Sequence, residues 1–366
     1  MTDNTIKPAA ATTALRHLGQ SLWLDNITRD LLDRGTLQHY IDTLSVTGLT
    51  SNPTIFDKAI SGSDAYDAEI RQRQTNGEDD EALFFQLAIA DLRRAAYLFA
   101  PVHAATDGVD GFVSLEVSPR LAHDTAATIA QAKSLHASAA RVNLFMKIPG
   151  TAEGVPAIAE CVRAGIPVNV TLLFSVGQYR SAVDAWLTGL ERRVAAGLPP
   201  SVASVASLFV SRWDVAVAGR VGPDLRNTLG IAVAVQVYRH YREMLASDRF
   251  QRLQNRGARP QRLLFASTGT KDPAAPDTLY VDALAAPNTV NTMPEATLQA
   301  FAAHGAEPFA MAADAVAADA MMARHAAAGI DIDALGAKLQ DEGAKSFVAS
   351  WESLLTAIAA KRRRAA

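Results

Sequence analysis

The run Val142-Asn143-Leu144-Phe145-Met146-Lys147-Ile148-Pro149-Gly150 sets one lysine inside a row of strand-forming apolar residues, and the proline and glycine stop that strand at its carboxyl end. An ammonium placed in apolar surroundings loses its hydration, and desolvation favours the neutral amine, which is a nucleophile. On either side of this run the sequence cycles: strand 111–117, helix 124–137, the lysine strand 142–148, helix 151–164, strand 167–174 and helix 176–196. Successive strands lie about 25 to 30 residues apart, the period of repeated βα units closing a parallel sheet.

The cycle extends both ways. Upstream, residues 21–25 read as a strand, Thr28 caps a helix over 29–34 that Gly35 ends, a second helix spans 36–44, and 46–51 is the next strand. Asn52-Pro53 then opens a helix with proline at its first position. Residues 65–102 carry two long helical patterns parted by Asn76-Gly77-Glu78-Asp79-Asp80. Downstream come a strand at 202–210, a polar connection, a helix over 225–246, a strand at 262–267 and a short one at 288–292. Beyond Pro294 the chain is alanine-rich helix, with a turn at 329–333 before a last helix near 334–361. Eight βα units predict an α/β protein, a single (β/α)8 TIM barrel with additional N- and C-terminal helices. Residues 1–20 read as an arm, loose at first and helical near 14–20, and 21–366 as one barrel domain with helical insertions. A doubly wound open sheet fits less well, because no Gly-rich phosphate loop follows the first strand.

Composition narrows the function classes. With 366 residues, 49% of them hydrophobic, the chain can bury a large core. The net charge of −3 comes from mixed acidic and basic residues, so no field points to nucleic acid or an anionic membrane. The basic run Lys361-Arg362-Arg363-Arg364 reads as a solvated helix end. Cys161 is the only cysteine, which leaves no internal disulfide or Cys-based metal cluster, suits a reducing compartment and makes Cys161 a small core residue. The first twenty residues lack a basic start followed by an apolar core, and apolar runs such as 230–237 are too short to span a bilayer, so a soluble cytoplasmic protein is expected.

Strand side chains alternate between the helix-facing side and the lumen, which makes parity informative. In Val113-Ser114-Leu115-Glu116-Val117 the apolar set leaves Ser114 and Glu116 inward. With Val142, Leu144, Met146 and Ile148 outward, Asn143, Phe145 and Lys147 face in, and on the next strand Asn169 and Thr171 do the same. Asp25, ending the first strand, and Asn52, following the second, are expected at the carboxyl-end rim, where barrel active sites lie. An amine, two carboxylates and a hydroxyl around one point suit carbonyl chemistry: amine attack, proton shuttling to expel water, and a positioned water to reverse it. Metal binding fits less well, since no histidine falls on these strands and an ammonium repels a cation. Blander readings stand beside these: Asp25 and Asn52 as helix caps, Glu116 with Lys147 as a structural ion pair, Asn169 and Thr171 as packing.

With these residues in place the sequence closely resembles the transaldolases, in particular the longer bacterial type, from about residue 21 to 293. The likeness rests on Leu24-Asp25-Asn26-Ile27, Gly48-Leu49-Thr50-Ser51-Asn52-Pro53-Thr54, Ser114-Leu115-Glu116-Val117, Met146-Lys147-Ile148-Pro149-Gly150-Thr151 and Asn169-Val170-Thr171-Leu172-Leu173-Phe174-Ser175, in that order. That family is a (β/α)8 relative of the class I aldolases whose Schiff-base lysine lies on the fourth strand, as Lys147 does here. The resemblance implies a pentose phosphate pathway reaction. A dihydroxyacetone unit passes from sedoheptulose 7-phosphate to glyceraldehyde 3-phosphate, giving erythrose 4-phosphate and fructose 6-phosphate, with no metal or organic cofactor. It further implies that Lys147 attacks the ketose carbonyl, Glu116 and Thr171 hold the water that moves protons, Asp25 takes the C4 hydroxyl proton, and Asn52 and Asn169 hold hydroxyls of the transferred unit.

For the sugar-phosphate end, Ser207-Leu208-Phe209-Val210-Ser211-Arg212 matches the family's sixth-strand segment, which implies that Ser207 lines the substrate site and Arg212 grips phosphate. Ala266-Ser267-Thr268-Gly269-Thr270-Lys271 stands where shorter members carry Ser-x-Arg, so Ser267 and Lys271 are the corresponding candidates, with a point charge in place of a bidentate fork. Fructose 6-phosphate aldolases share the fold and lysine but resemble one another in carrying tyrosine where Phe209 stands, and phenylalanine favours transfer. Two alternatives remain beside the transaldolase reading: such an aldolase, and a catalytically silent sugar-phosphate-binding barrel. Monomer and homodimer are both compatible with the sequence.

Overall fold

The structure, a computed structural model, describes residues 9–73 and 79–365. Its frame is eight parallel strands: β1 Gln20–Asp25, β2 Val46–Thr50, β3 Val113–Glu116, β4 Leu144–Pro149, β5 Val168–Leu173, β6 Ser204–Phe209, β7 Arg262–Ala266 and β8 Thr289–Met293. They are ordered β2-β1-β8-β7-β6-β5-β4-β3. The two edges meet: Gly111 N–H donates to Thr47 O and Leu49 N–H to Phe112 O, each at 3.0 Å, which brings β2 beside β3 and gives the (β/α)8 barrel that the βα period predicts. Gly48 permits this seam, because a Cβ there would stand 2.7 Å from Phe112 O and from the Trp23 ring.

The barrel interior is packed in layers. Low in the lumen the rings of Phe112 and Phe145 stack at 4.1 Å beside Trp23, whose indole N–H donates to Asp110 at 2.8 Å. Above them Ser114, Asn169 and Ser207 form a hydrogen-bonded chain across β3, β5 and β6. Aromatic rings thus lie below a polar layer that leads toward the carboxyl end, and a second polar group, with Ser21, Asp110 and Arg262, lies at the amino end.

Some local expectations are overturned, each for a physical reason. The first described helix is Ala10–Leu18, earlier than 14–20, and Gln20 already belongs to β1 because Gly19, at φ 100°, turns the chain between them. The lysine strand begins only at Leu144: Val142 lies in a turn at 77% exposure, and Asn143, instead of facing the lumen, donates its amide to Ala96 O and Gly111 O at 2.9 and 2.8 Å. Of the two long patterns over 65–102, the first is the short helix Asp67–Arg73 and the second is Asp80–Ala105; positions 76–78 of the polar divider lie outside the described residues. The connection after β6 holds a helix, Ser211–Val217, the next long helix begins at Leu229, and Asp248–Gln254 adds another before β7.

Strict alternation also fails on β5. Val170 is paired with Ala206 but Leu173 with Leu208, one residue too many on β5, and Leu172 takes up the excess at φ 58°. A β-bulge re-aims the strand end, and a leucine in the left-handed region is strained by roughly 1–2 kcal/mol.

The C-terminal helix Ile332–Ala365 crosses the carboxyl side of the barrel. A stripe of Leu335, Leu339, Phe347, Trp351, Leu354 and Ile358, spaced by three, four or eight, is buried against the body. Trp351 packs at 4.8 Å from Phe84 and 5.5 Å from Phe85, and Ser350 Oγ lies 2.7 Å from Thr54 Oγ1 on the helix Pro53–Ser61. The basic run at its end is only partly solvated: Lys361 reaches Asp67 at 2.5 Å and Arg362 reaches Asp80 at 2.6 Å, while Arg363 and Arg364 are exposed.

Candidate active site

The register of three neighbouring strands builds the site. Glu116 of β3 is paired with Lys147 of β4, and Lys147 with Asn169 of β5, so the three are register neighbours with side chains inward. Lys147 Nζ lies 3.0 Å from Glu116 Oε2 and donates to Ser51 O at 3.1 Å. The contact with Glu116 is an ion pair by distance without hydrogen-bond alignment, and both Glu116 oxygens and the Thr171 hydroxyl are buried with no hydrogen-bond partner among the described residues. Buried polar atoms are seldom left so, and a water molecule or a substrate hydroxyl seated between them would satisfy them.

Burial pushes the Glu116 carboxyl above its ordinary value, the neighbouring Lys147 charge offsetting part of the rise. Asp25 behaves alike. Burial raises it, while Lys147, a hydrogen bond from Thr50, and the more distant Lys271 and Arg212 pull it down. Thr50 Oγ1 donates to Asp25 Oδ1 at 2.6 Å and stands 2.7 Å from Thr292 Oγ1, which fixes the carboxylate beside the amine. Two carboxyls raised by burial beside one lysine are the kind of groups that can carry protons. Asp25 does not cap the following helix; Thr28 does, its hydroxyl accepting from Leu31 N–H at 3.0 Å.

All the candidate catalytic and substrate residues except Glu116 and Asn169 line one cavity of about 280 Å³ at the carboxyl ends of the strands, near the lower end for small-ligand sites. Glu116 is buried behind Lys147, outside the lining. Asn169 is fully buried, donating to Ser114 Oγ at 3.2 Å and accepting from Ser207 Oγ at 2.7 Å, so its amide sits in the layer beneath. Asn52 does cap its helix, Oδ1 accepting from Ile55 N–H at 3.0 Å, an interaction worth about 1 kcal/mol, yet it also lines the cavity. Ser267 lies against Ser211, Oγ to Oγ 2.9 Å, and Arg212 and Lys271 bring cations to the wall and mouth.

Further lining residues were not singled out, among them Thr50, Lys58, Thr292 and Phe347. Thr50 lies inside the Gly48–Thr54 run, and its place at the end of β2 was the available signal. Lys58 has the pattern of any surface lysine on a helix, Thr292 ends the weakest strand, and Phe347 arrives from the far end of the chain.

A larger cavity, about 550 Å³, lies at the amino ends of the strands. Its charges largely answer one another, Arg259 with Asp107 and Arg262 with Asp110, and no lysine lines it among the described residues. The smaller carboxyl-end cavity holds the Lys147 amine and is the candidate site.

Comparison with known proteins gives the family. A family model described as Transaldolase/Fructose-6-phosphate aldolase matches residues 22–358, well past 293, so the likeness takes in most of the C-terminal helix. Proteins named transaldolase are similar over nearly their whole length. That of Acidothermus cellulolyticus is 48% identical over 359 residues, 95% of each chain. That of Mycolicibacterium smegmatis is 47% identical over 94% of this chain and 95% of its own. That of Mycobacterium tuberculosis is 47% identical over 93% and 94%.

Proposed function

The chain belongs to the transaldolase/fructose-6-phosphate aldolase family, its function is that of a transaldolase, a transferase of carbohydrate metabolism, and we propose the following substrates and division of labour. A dihydroxyacetone unit passes from sedoheptulose 7-phosphate to glyceraldehyde 3-phosphate in the cytoplasm. The observation that carries this reading is the buried Lys147 amine 3.0 Å from Glu116, on the floor of a cavity whose wall holds Asp25 and whose mouth is cationic.

The Lys147 nitrogen adds to the C2 carbonyl, and the oxygen leaves as water on protons relayed through Glu116 and the water it shares with Thr171, giving a Schiff base. Asp25 accepts the C4 hydroxyl proton. The C3–C4 bond breaks, its electron pair is taken up by the iminium as an enamine, and erythrose 4-phosphate departs. Asn52 holds a hydroxyl of the retained three-carbon unit, and Asn169 acts on that unit from beneath through Ser207, whose Oγ donates to its amide oxygen at 2.7 Å. The enamine carbon then attacks the aldehyde of the acceptor, Asp25 returns its proton to the new alkoxide, and water hydrolyses the Schiff base to release fructose 6-phosphate. Ser207 and Ser267 line the path of the sugar, and Arg212 and Lys271 hold its phosphate. Phe209 supports transfer over free aldolase activity, because a ring without a hydroxyl offers no grip on a competing water.

Borohydride reduction in the presence of fructose 6-phosphate is expected to leave a stable adduct on Lys147, located by peptide mass spectrometry, and none in Lys147→Met. Label on a different lysine, or none at all, overturns the assignment. Omitting the acceptor separates the alternatives: rapid release of dihydroxyacetone means an aldolase, and binding without either reaction means a silent barrel.

A further inference from the structure

Arg212 is held in an unusual way. It opens the helix Ser211–Val217 directly after β6, is half-buried, and makes no hydrogen bond or ion pair to any described residue. Its nearest contacts are rings, with the Asp25 and Glu116 carboxylates acting only from farther off: Cζ lies 5.1 Å from the centroid of Phe209 and 5.8 Å from that of Phe347. Phe347 belongs to the C-terminal helix, is itself buried at 4% exposure, and faces Lys147 Nζ at 5.6 Å with the same ring. One turn earlier on that helix, Gly343 leaves room for the guanidinium; a Cβ there would stand 3.1 Å from Arg212 Nη1 and 3.0 Å from Leu172 Cδ2.

A guanidinium paired with a carboxylate has its fork occupied. One held by aromatic faces keeps its N–H edge for a ligand, while the ring quadrupoles offset part of its desolvation. The C-terminal helix thus brings to the site a ring at 347, shared between Arg212 and Lys147, and a gap at 343 that faces Arg212.

We propose that Phe347 is a positioning residue that, with the gap at Gly343, holds the Arg212 guanidinium unpaired and aimed at the anionic end of the substrate, and so sets the preference for phosphorylated over unphosphorylated ketoses. This rests on Lys147 as the Schiff-base amine and Arg212 as a phosphate cation. The helix that closes the barrel from outside is therefore a specificity element.

The test compares Phe347→Leu, which removes the ring, Phe347→Tyr, which keeps it, and Gly343→Ala, which fills the gap. For each, borohydride trapping is titrated with fructose 6-phosphate and with dihydroxyacetone, and the melting temperature is followed against inorganic phosphate. For Phe347→Leu and Gly343→Ala the half-saturating concentration of fructose 6-phosphate is expected to rise about tenfold more than that of dihydroxyacetone. Their stabilisation by inorganic phosphate should be weaker than that of the wild type, and Phe347→Tyr should recover both properties. Equal shifts for the two ketoses, or an unaltered phosphate response in a folded Gly343→Ala protein, overturn the proposal. A wild-type protein that neither ketose labels overturns the Schiff-base reading instead, and the phosphate response still judges the guanidinium.

Discussion

Asp25, the proposed acceptor of the C4 hydroxyl proton, is a half-buried acid on the cavity wall. Burial raises its carboxyl, and the Lys147 charge and the Thr50 hydrogen bond offset only part of this. An acid raised in the folded state holds its proton more tightly when folded than when unfolded. Its contribution to stability is therefore full below the unfolded value of about 3.9 and is lost as pH rises through the folded value. At neutral and alkaline pH the ionised group is a burden that the fold carries. Asp25→Asn keeps the shape and an acceptor for Thr50 while removing the charge, so its thermal midpoint at pH 8 is expected to lie a few degrees above that of the wild type, the difference shrinking as pH falls toward 5. Carbon–carbon cleavage should drop by about 10²- to 10⁴-fold. A variant less stable than the wild type at pH 8 would show that the Asp25 charge, with Lys147, stabilises the fold after all.

Among the elements, the seam between β2 and β3 joins barrel closure to the site, because Thr50, Ser51 O and Asn52 follow directly from it. Gly48→Ala would drive a Cβ to 2.7 Å from Phe112 O, a backbone atom with little freedom to give. Overpacking of this kind costs about 1–3 kcal/mol, so the urea midpoint should fall. Gly219→Ala, where a Cβ meets nothing within 4 Å, should stay within about 0.5 kcal/mol of the wild type. Equal midpoints for the two variants would mean that the seam opens without penalty. The same elements mark what a sequence can disclose. The βα period and the parity of Glu116, Lys147 and Thr171 were legible because strand alternation and helix caps are local properties. The bulge at Leu172 was not, since it arises from the mismatch of β5 with β6. The helix Ser211–Val217 was hidden because it is too short for periodicity to register. Asn169 was legible as inward, but its burial beneath the cavity depends on Ser114 and Ser207 from other strands. Phe347 could not be foreseen at all, because an apolar position on an alanine-rich helix looks like core until the helix is laid across the barrel.

Over the whole molecule, charge is distributed against its own sum. The chain carries a net charge of −3, yet the cavity mouth presents Lys58 and Lys271, both exposed, with Arg212 deeper on the wall. The acidic groups of the site, Asp25 and Glu116, lie inside and face Lys147. A phosphorylated sugar approaching an acidic protein thus meets a local positive field, and that field reaches only as far as salt permits: about 30 Å at 0.01 M ionic strength and about 8 Å at 0.15 M. The exposed lysines should lose most of their pull over that range, whereas Arg212, half-buried beside two rings, should lose little. KM for fructose 6-phosphate is therefore expected to rise several-fold between these ionic strengths, with kcat nearly unaltered. Replacing Lys58 and Lys271 together by methionine should raise KM at low salt and flatten its salt dependence, because the charges that salt would screen are already gone. A salt dependence as steep in the double variant as in the wild type would locate the attracting charge elsewhere and reduce both lysines to ordinary surface residues.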